Sequence, residues 1–68
     1  MSNMMETIYV ELVATTPKAI LVDIGLEDKN FWVPRSIIEV DGDIDDLVRG
    51  DSFDLTLPEW FATKEGML

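Results

Sequence analysis

Residues 6–15 read ETIYVELVAT. Apolar side chains recur at alternate positions: Ile8, Val10, Leu12 and Ala14 fall on one face, Tyr9, Glu11, Val13 and Thr15 on the other. A period of two belongs to a strand, and β-branched and aromatic residues suit its pleated surface. One strand cannot bury its own face, so partners must follow it in the chain.

After the turn residues TPK, with Pro17 presetting φ, comes AILVDI, residues 19–24. Ile20, Val22 and Ile24 alternate with Ala19, Leu21 and Asp23, and both faces are partly apolar, which places this strand inside a sheet. GLEDKN is the next turn and NFWV, residues 30–33, a third strand. Consecutive strands joined this closely form an antiparallel meander. Pro34 has no N–H, so pairing should end or bulge there. RSIIEV then resumes extended structure, with Ile38 and Val40 turned inward.

Residues 52–57, SFDLTL, alternate again, with Phe53, Leu55 and Leu57 inward. Between the last two strands, Ile44, Leu47 and Val48 have the spacing of one helical turn, capped by Asp43. The tail TLPEWFATKEGML predicts a short helical cap over about 58–65. Thr56 and Glu59 have capping-box spacing, Pro58 lies in the first turn, and Gly66 suits a left-handed C-terminal cap. So short a helix needs Trp60 or Phe61 packed on the sheet. The expectation is a single domain, residues 1–68: a small antiparallel barrel or half-barrel of four or five strands, SH3-like or OB-like, with a short C-terminal helix.

Composition limits the chemistry. The 68 residues contain neither Cys nor His, which excludes disulfides, thiolate nucleophiles, imidazole bases and the usual zinc ligands. Ser36 and Ser52 therefore have no histidine to activate them, and a chain this short has little room for a sugar cleft between carboxylates. No enzyme and no cofactor is expected. Fourteen acids against five bases give a net charge of −9, which phosphate backbones and anionic membranes repel. Lys18, Lys29, Arg35, Arg49 and Lys64 are too scattered to form a basic footprint. MSNMMETIYV has no cationic leader and no long apolar run, so a cytoplasmic protein is expected.

Half of the acids are crowded into EVDGDIDDLVRGDSFD, residues 39–54: Glu39, Asp41, Asp43, Asp45, Asp46, Asp51 and Asp54, with Arg49 the one base. Asp41, Asp43 and Asp45 take alternate positions as in a calcium loop, but Asp46 and Ser52 stand where that loop needs Gly and Glu. No metal is assigned, although an irregular carboxylate cage for a weakly held hard cation stays open. A second reading is an acidic ridge that reproduces the field of a phosphate backbone and captures a cationic protein surface. A third is a solvated loop.

Trp32 and Trp60 are expected in core and cap, but the pleat sends one of Phe31 and Trp32 outward. An exposed aromatic there, with Tyr9 or Leu21, would make an apolar interface, so Tyr9, Trp32 and Trp60 are its candidates.

KAILVDIG, FWVPRSII and LPEWFATKEGML, in that order, resemble a group of short phage and prophage proteins. Trp32, Pro34, Ser36 and Ile38 meet that group's Trp-x-Pro-x-Ser-x-Ile strand. Pro58, Glu59, Trp60, Ala62 and Gly66 meet its Pro-Glu-Trp-x-Ala…Gly tail, with Met67 intervening before Leu68. Activities in the group are mostly unassigned, so the resemblance implies a mobile-element origin. With that origin the acids favour a non-enzymatic inhibitor, a nucleic-acid mimic of anti-CRISPR type, binding a basic surface of a host nuclease or CRISPR effector in the host cytoplasm. The alternatives are an assembly module, a homo-oligomer such as a homodimer formed through apolar strand faces, and a replication accessory touching nucleic acid through Arg35 and the tryptophans.

Overall fold

A computed structural model describes residues 4–26 and 29–67. Five strands make one antiparallel sheet: β1 (Met5–Thr15), β2 (Ala19–Asp23), β3 (Asn30–Pro34), β4 (Glu39–Val40) and β5 (Ser52–Pro58). Helix α1 (Glu59–Glu65) follows. The order across the sheet is β3-β2-β1-β5-β4. β1 is the axis: Met5 to Glu11 pair with β5, and Glu11 to Thr15 pair with β2. β2 is internal, as its two partly apolar faces require.

The links bend this sheet. β3 and β4 are opposite edges, which a flat sheet would hold roughly 19 Å apart across four strand spacings. Residues 35–38 join them, and Arg35–Ile37 form a 3-10 turn. Such a link spans only about 13 Å. The sheet is therefore curled into a half-barrel whose edges approach but do not pair. RSIIEV is accordingly not one extended run: only Glu39 and Val40 are strand, because the crossing needs a compact turn.

The concave side holds the core. Val10, Leu12, Ile20, Val22, Val33, Leu55 and Leu57 are almost completely buried, with Phe31, Phe61, Ala62 and Met67 around them. No polar or charged residue is buried among those described. The radius of gyration, 11.2 Å, matches the roughly 11 Å of a fully compact chain of this length.

Three local expectations are corrected. The β1–β2 register slips between Leu12 and Ala14, so Val13 is an extra residue and Ala14 faces Leu21 on the convex side. The same slip breaks the strict alternation. The β2–β3 register does end at Pro34, paired with Ala19, and one further bond follows it, from the Arg35 N–H to the Lys18 carbonyl at 2.9 Å. Thr56 does not cap α1, whose N-cap is Pro58 without a side-chain bond. Its Oγ1 shares a 2.9 Å hydrogen bond with Thr7 Oγ1 on the convex face. Finally, the tryptophans are not core. The pleat turns Phe31 inward and leaves Trp32 50% exposed, while Phe61 packs under the helix and Trp60 is 52% exposed, edge-on to Phe61 at 5.8 Å.

The helix ends as its sequence predicts. Gly66 adopts φ +80°. Met67 N–H donates to the Ala62 carbonyl at 2.8 Å and Gly66 N–H to the Thr63 carbonyl at 3.2 Å, the paired bonds of a Schellman motif. Met67 and Ala62 are both buried, which is the apolar contact that motif brings.

Candidate functional site

The site is built where β4 stops. β5 turns Asp54 and Thr56 to the convex face, and β1 sets Thr7 opposite Thr56 and Tyr9 opposite Asp54. β4 sets Glu39 on the other side of Thr56. Glu39 and Asp54 are thus diagonal neighbours, a relation that puts Cα atoms about 7–8 Å apart. After Val40 the chain leaves the sheet through Asp41 and Gly42, the latter at φ +83°. Only glycine takes that conformation without strain.

Asp43 then caps a second 3-10 turn, Ile44–Asp46, its Oδ1 accepting from the Asp45 N–H at 2.9 Å. The turn presents Asp45 to Arg35, whose Nη1 donates to Asp45 Oδ1 at 2.8 Å. Arg35 Nε is buried without a partner. Ile44 and Leu47 pack against the core, as their spacing predicts, but Val48 points outward and is exposed.

These pieces enclose an open groove of about 920 Å³. Glu39, Asp41, Asp43 and Asp54 line it, together with the Thr7–Thr56 hydroxyl pair, Arg35 and the apolar side chains Ile38, Val40 and Ile44. Four of the seven crowded acids are therefore gathered. Asp45 does not line the groove and is held by Arg35, which does. Asp46 is exposed on the second turn. Asp51 is a loop cap: its Oδ2 accepts from the Val48 N–H at 3.0 Å. No three carboxylates converge closely enough to hold a metal ion among the described residues.

Sequence reasoning missed Thr7, and it assigned Thr56 to a helix cap. Their pairing depends on the β1–β5 register, which joins positions 49 residues apart and leaves no local mark. None of the aromatic candidates lines the groove, and Tyr9, 67% exposed, comes nearest to it through its pairing with Asp54. Trp32 pairs with Leu21, which lies opposite Ala14 near one end of β1. Trp60 follows Pro58, opposite Met5 at the other end. The three do not form one patch.

A second hollow, of about 460 Å³, lies between Pro17, Lys18, Pro34, Arg35 and Ser36. No helix is long and apolar enough to cross a membrane among the described residues. No family model matches the chain, and neither a curated protein nor a solved structure is significantly similar to it.

Proposed function

We propose that this chain is a non-enzymatic binding protein of mobile-element origin, acting in the host cytoplasm. In this reading it is an acidic inhibitor whose groove receives a basic segment of a nucleic-acid-handling protein of nuclease or CRISPR-effector type. The observation that carries it is the convergence of Glu39, Asp41, Asp43 and Asp54 on one groove. Arg35, the one base lining it, is already neutralised by Asp45.

Glu39 and Asp54, diagonal neighbours with Cα atoms about 7–8 Å apart on the folded sheet, repeat negative charge at a spacing comparable with phosphates. A lysine- or arginine-rich element is drawn to such a field over long range, and the Thr7 and Thr56 hydroxyls can accept its remaining donors. Tyr9 at the margin offers a ring face to a cation. Direct contact with nucleic acid through Arg35 and the tryptophans has less support, since Arg35 is ion-paired and the two rings lie toward opposite ends of β1.

The test compares two triple variants of equal charge. One is Glu39→Gln, Asp41→Asn, Asp54→Asn; the other is Glu11→Gln, Glu59→Gln, Glu65→Gln, all outside the groove. Capture of an arginine-rich peptide, and of host proteins from lysate at low salt, is expected to fall at least about tenfold only in the first, a loss of roughly 1.4 kcal/mol. Equal losses in both would leave bulk charge, and no site, as the explanation.

A further inference from the structure

An open sheet has two edges, and each is a row of main-chain groups able to pair with another chain. The β4 edge carries Glu39 and leads into Asp41 and Asp43, so a second acidic chain is repelled there. The β3 edge, NFWVP, contains no charge.

The hydrogen-bond pattern shows which groups of β3 are free. In an antiparallel ladder the residues of one pair turn N–H and C=O toward each other, and those of the next pair turn theirs away. Arg35 and Lys18 are a bonded pair, by the 2.9 Å bond from Arg35 N–H to the Lys18 carbonyl. Stepping back by two along the register, Ile20↔Val33 and Val22↔Phe31 are also bonded pairs. Asn30, Trp32 and Pro34 therefore point their main-chain groups away from β2. On its other side, Ala19 accepts from Thr16 N–H at 2.8 Å, which fits the same alternation. Among the described residues, no turn or loop hydrogen bond uses the main chain of Asn30 or Trp32.

We infer that a second copy of this chain docks on that edge, β3 against β3, antiparallel about a twofold axis at Trp32. The edge is self-complementary. Trp32 N–H of each copy meets the Trp32 carbonyl of the other, and these two bonds carry the seam, because the Pro34 carbonyl opposite each Asn30 already takes the first bond of its own 3-10 turn. The N–H that proline lacks ends the new ladder at each side. The two Trp32 rings, already exposed on the convex face, then lie side by side across the seam, with Leu21 of each copy behind them.

Charge selects this edge as well. The residues brought opposite just beyond the ladder are Lys29 of one copy and Arg35 of the other, and Arg35 carries its own counter-ion in Asp45. No carboxylate of β3 faces another, although each copy bears −9 overall. A small β core also gains most from added burial. The groove's acids, Glu39, Asp41, Asp43 and Asp54, stand on β4, on β5 and in the loop after β4, so none of them is part of the β3 seam, although Arg35 and Ile38, which follow β3, also line the groove.

The experiment is sedimentation of the full chain with hydrogen exchange followed by NMR. A seam this short belongs to the weak class, below about 1,200 Å², so the series extends to about 1 mM. The expected result is a shift from the 7.7 kDa monomer to twice that mass as concentration rises. Exchange of the Trp32 amide proton should slow in step, a readout that needs no variant. Trp32→Lys should stay monomeric with unchanged far-ultraviolet circular dichroism, and Tyr9→Lys should still dimerise. A wild-type chain that remains monomeric overturns the inference. So does a dimer whose Trp32 amide exchanges as fast as in the monomer, or one that a folded Trp32→Lys chain still forms. The groove variants should leave the mass unchanged, so failure here and failure of the groove reading are told apart.

Discussion

Arg35 Nη1 donates to Asp45 Oδ1 at 2.8 Å, and this one ion pair ties the turn that crosses the half-barrel to the turn that carries the acids. Asp45 is 71% exposed, so the pair is worth under about 1 kcal/mol. Asp45→Asn should lower the melting temperature by no more than about 8 °C. Arg35→Lys removes the buried, unpartnered Nε and should cost no more than Asp45→Asn. Thermal unfolding by circular dichroism decides, and a fall several times larger would mean the pair governs the fold.

Crowded carboxylates repel one another, and no base relieves Glu39, Asp41 or Asp54 by an ion pair among the described residues. Neutralising them as Glu39→Gln, Asp41→Asn, Asp54→Asn should raise the melting temperature at low ionic strength. At 1 M salt, where the screening length is about 3 Å, the gain should nearly vanish. A gain independent of salt would point to packing and not to charge.

Leu55 is fully buried and paired with Ile8 and Val40. Leu55→Ala should cost about 2–5 kcal/mol. That rivals the roughly 3–5 kcal/mol a core of this size supplies, so the variant should be largely unfolded at 25 °C. Tyr9→Ala, on the exposed side of the same sheet, should change stability by under about 0.5 kcal/mol. Urea unfolding followed by tryptophan fluorescence measures both.

Gly66 holds the left-handed cap that lets Met67 turn back into the core. Gly66→Ala should cost about 1 kcal/mol and Gly66→Asn less, because asparagine tolerates this conformation. The order of the two melting temperatures is the test. Equal values for alanine and glycine would show that the cap contributes nothing.

Much of this architecture is legible along the chain. Alternation located β1, β2 and β5 and the core residues Val10, Leu12, Ile20, Val22, Leu55 and Leu57, since a period of two is a local signal. Gly66 was equally plain, because only its own backbone angle is at issue. What stayed hidden depends on distant partners. Thr56 has ideal capping-box spacing, yet Thr7 claims its hydroxyl. Val13 looks like any strand residue, and only the β2 register makes it the extra one. The acidic run was conspicuous, but its division was not: Asp51 is spent within its own loop, whereas Asp54, three residues on, reaches the groove through strand pairing.

The pairing of Met5 with Pro58 places the first and the last strand of the sheet side by side. A ribosome making this protein releases β1 long before its first half has anything to zip against. Until Pro58 clears the exit tunnel, the central strand is a bare ribbon with only the β2 hairpin to hold it. The sheet can therefore close only once β5 has emerged. Chains stalled before β5 emerges should be digested readily by added protease, whereas those stalled after the whole of α1 has emerged should resist.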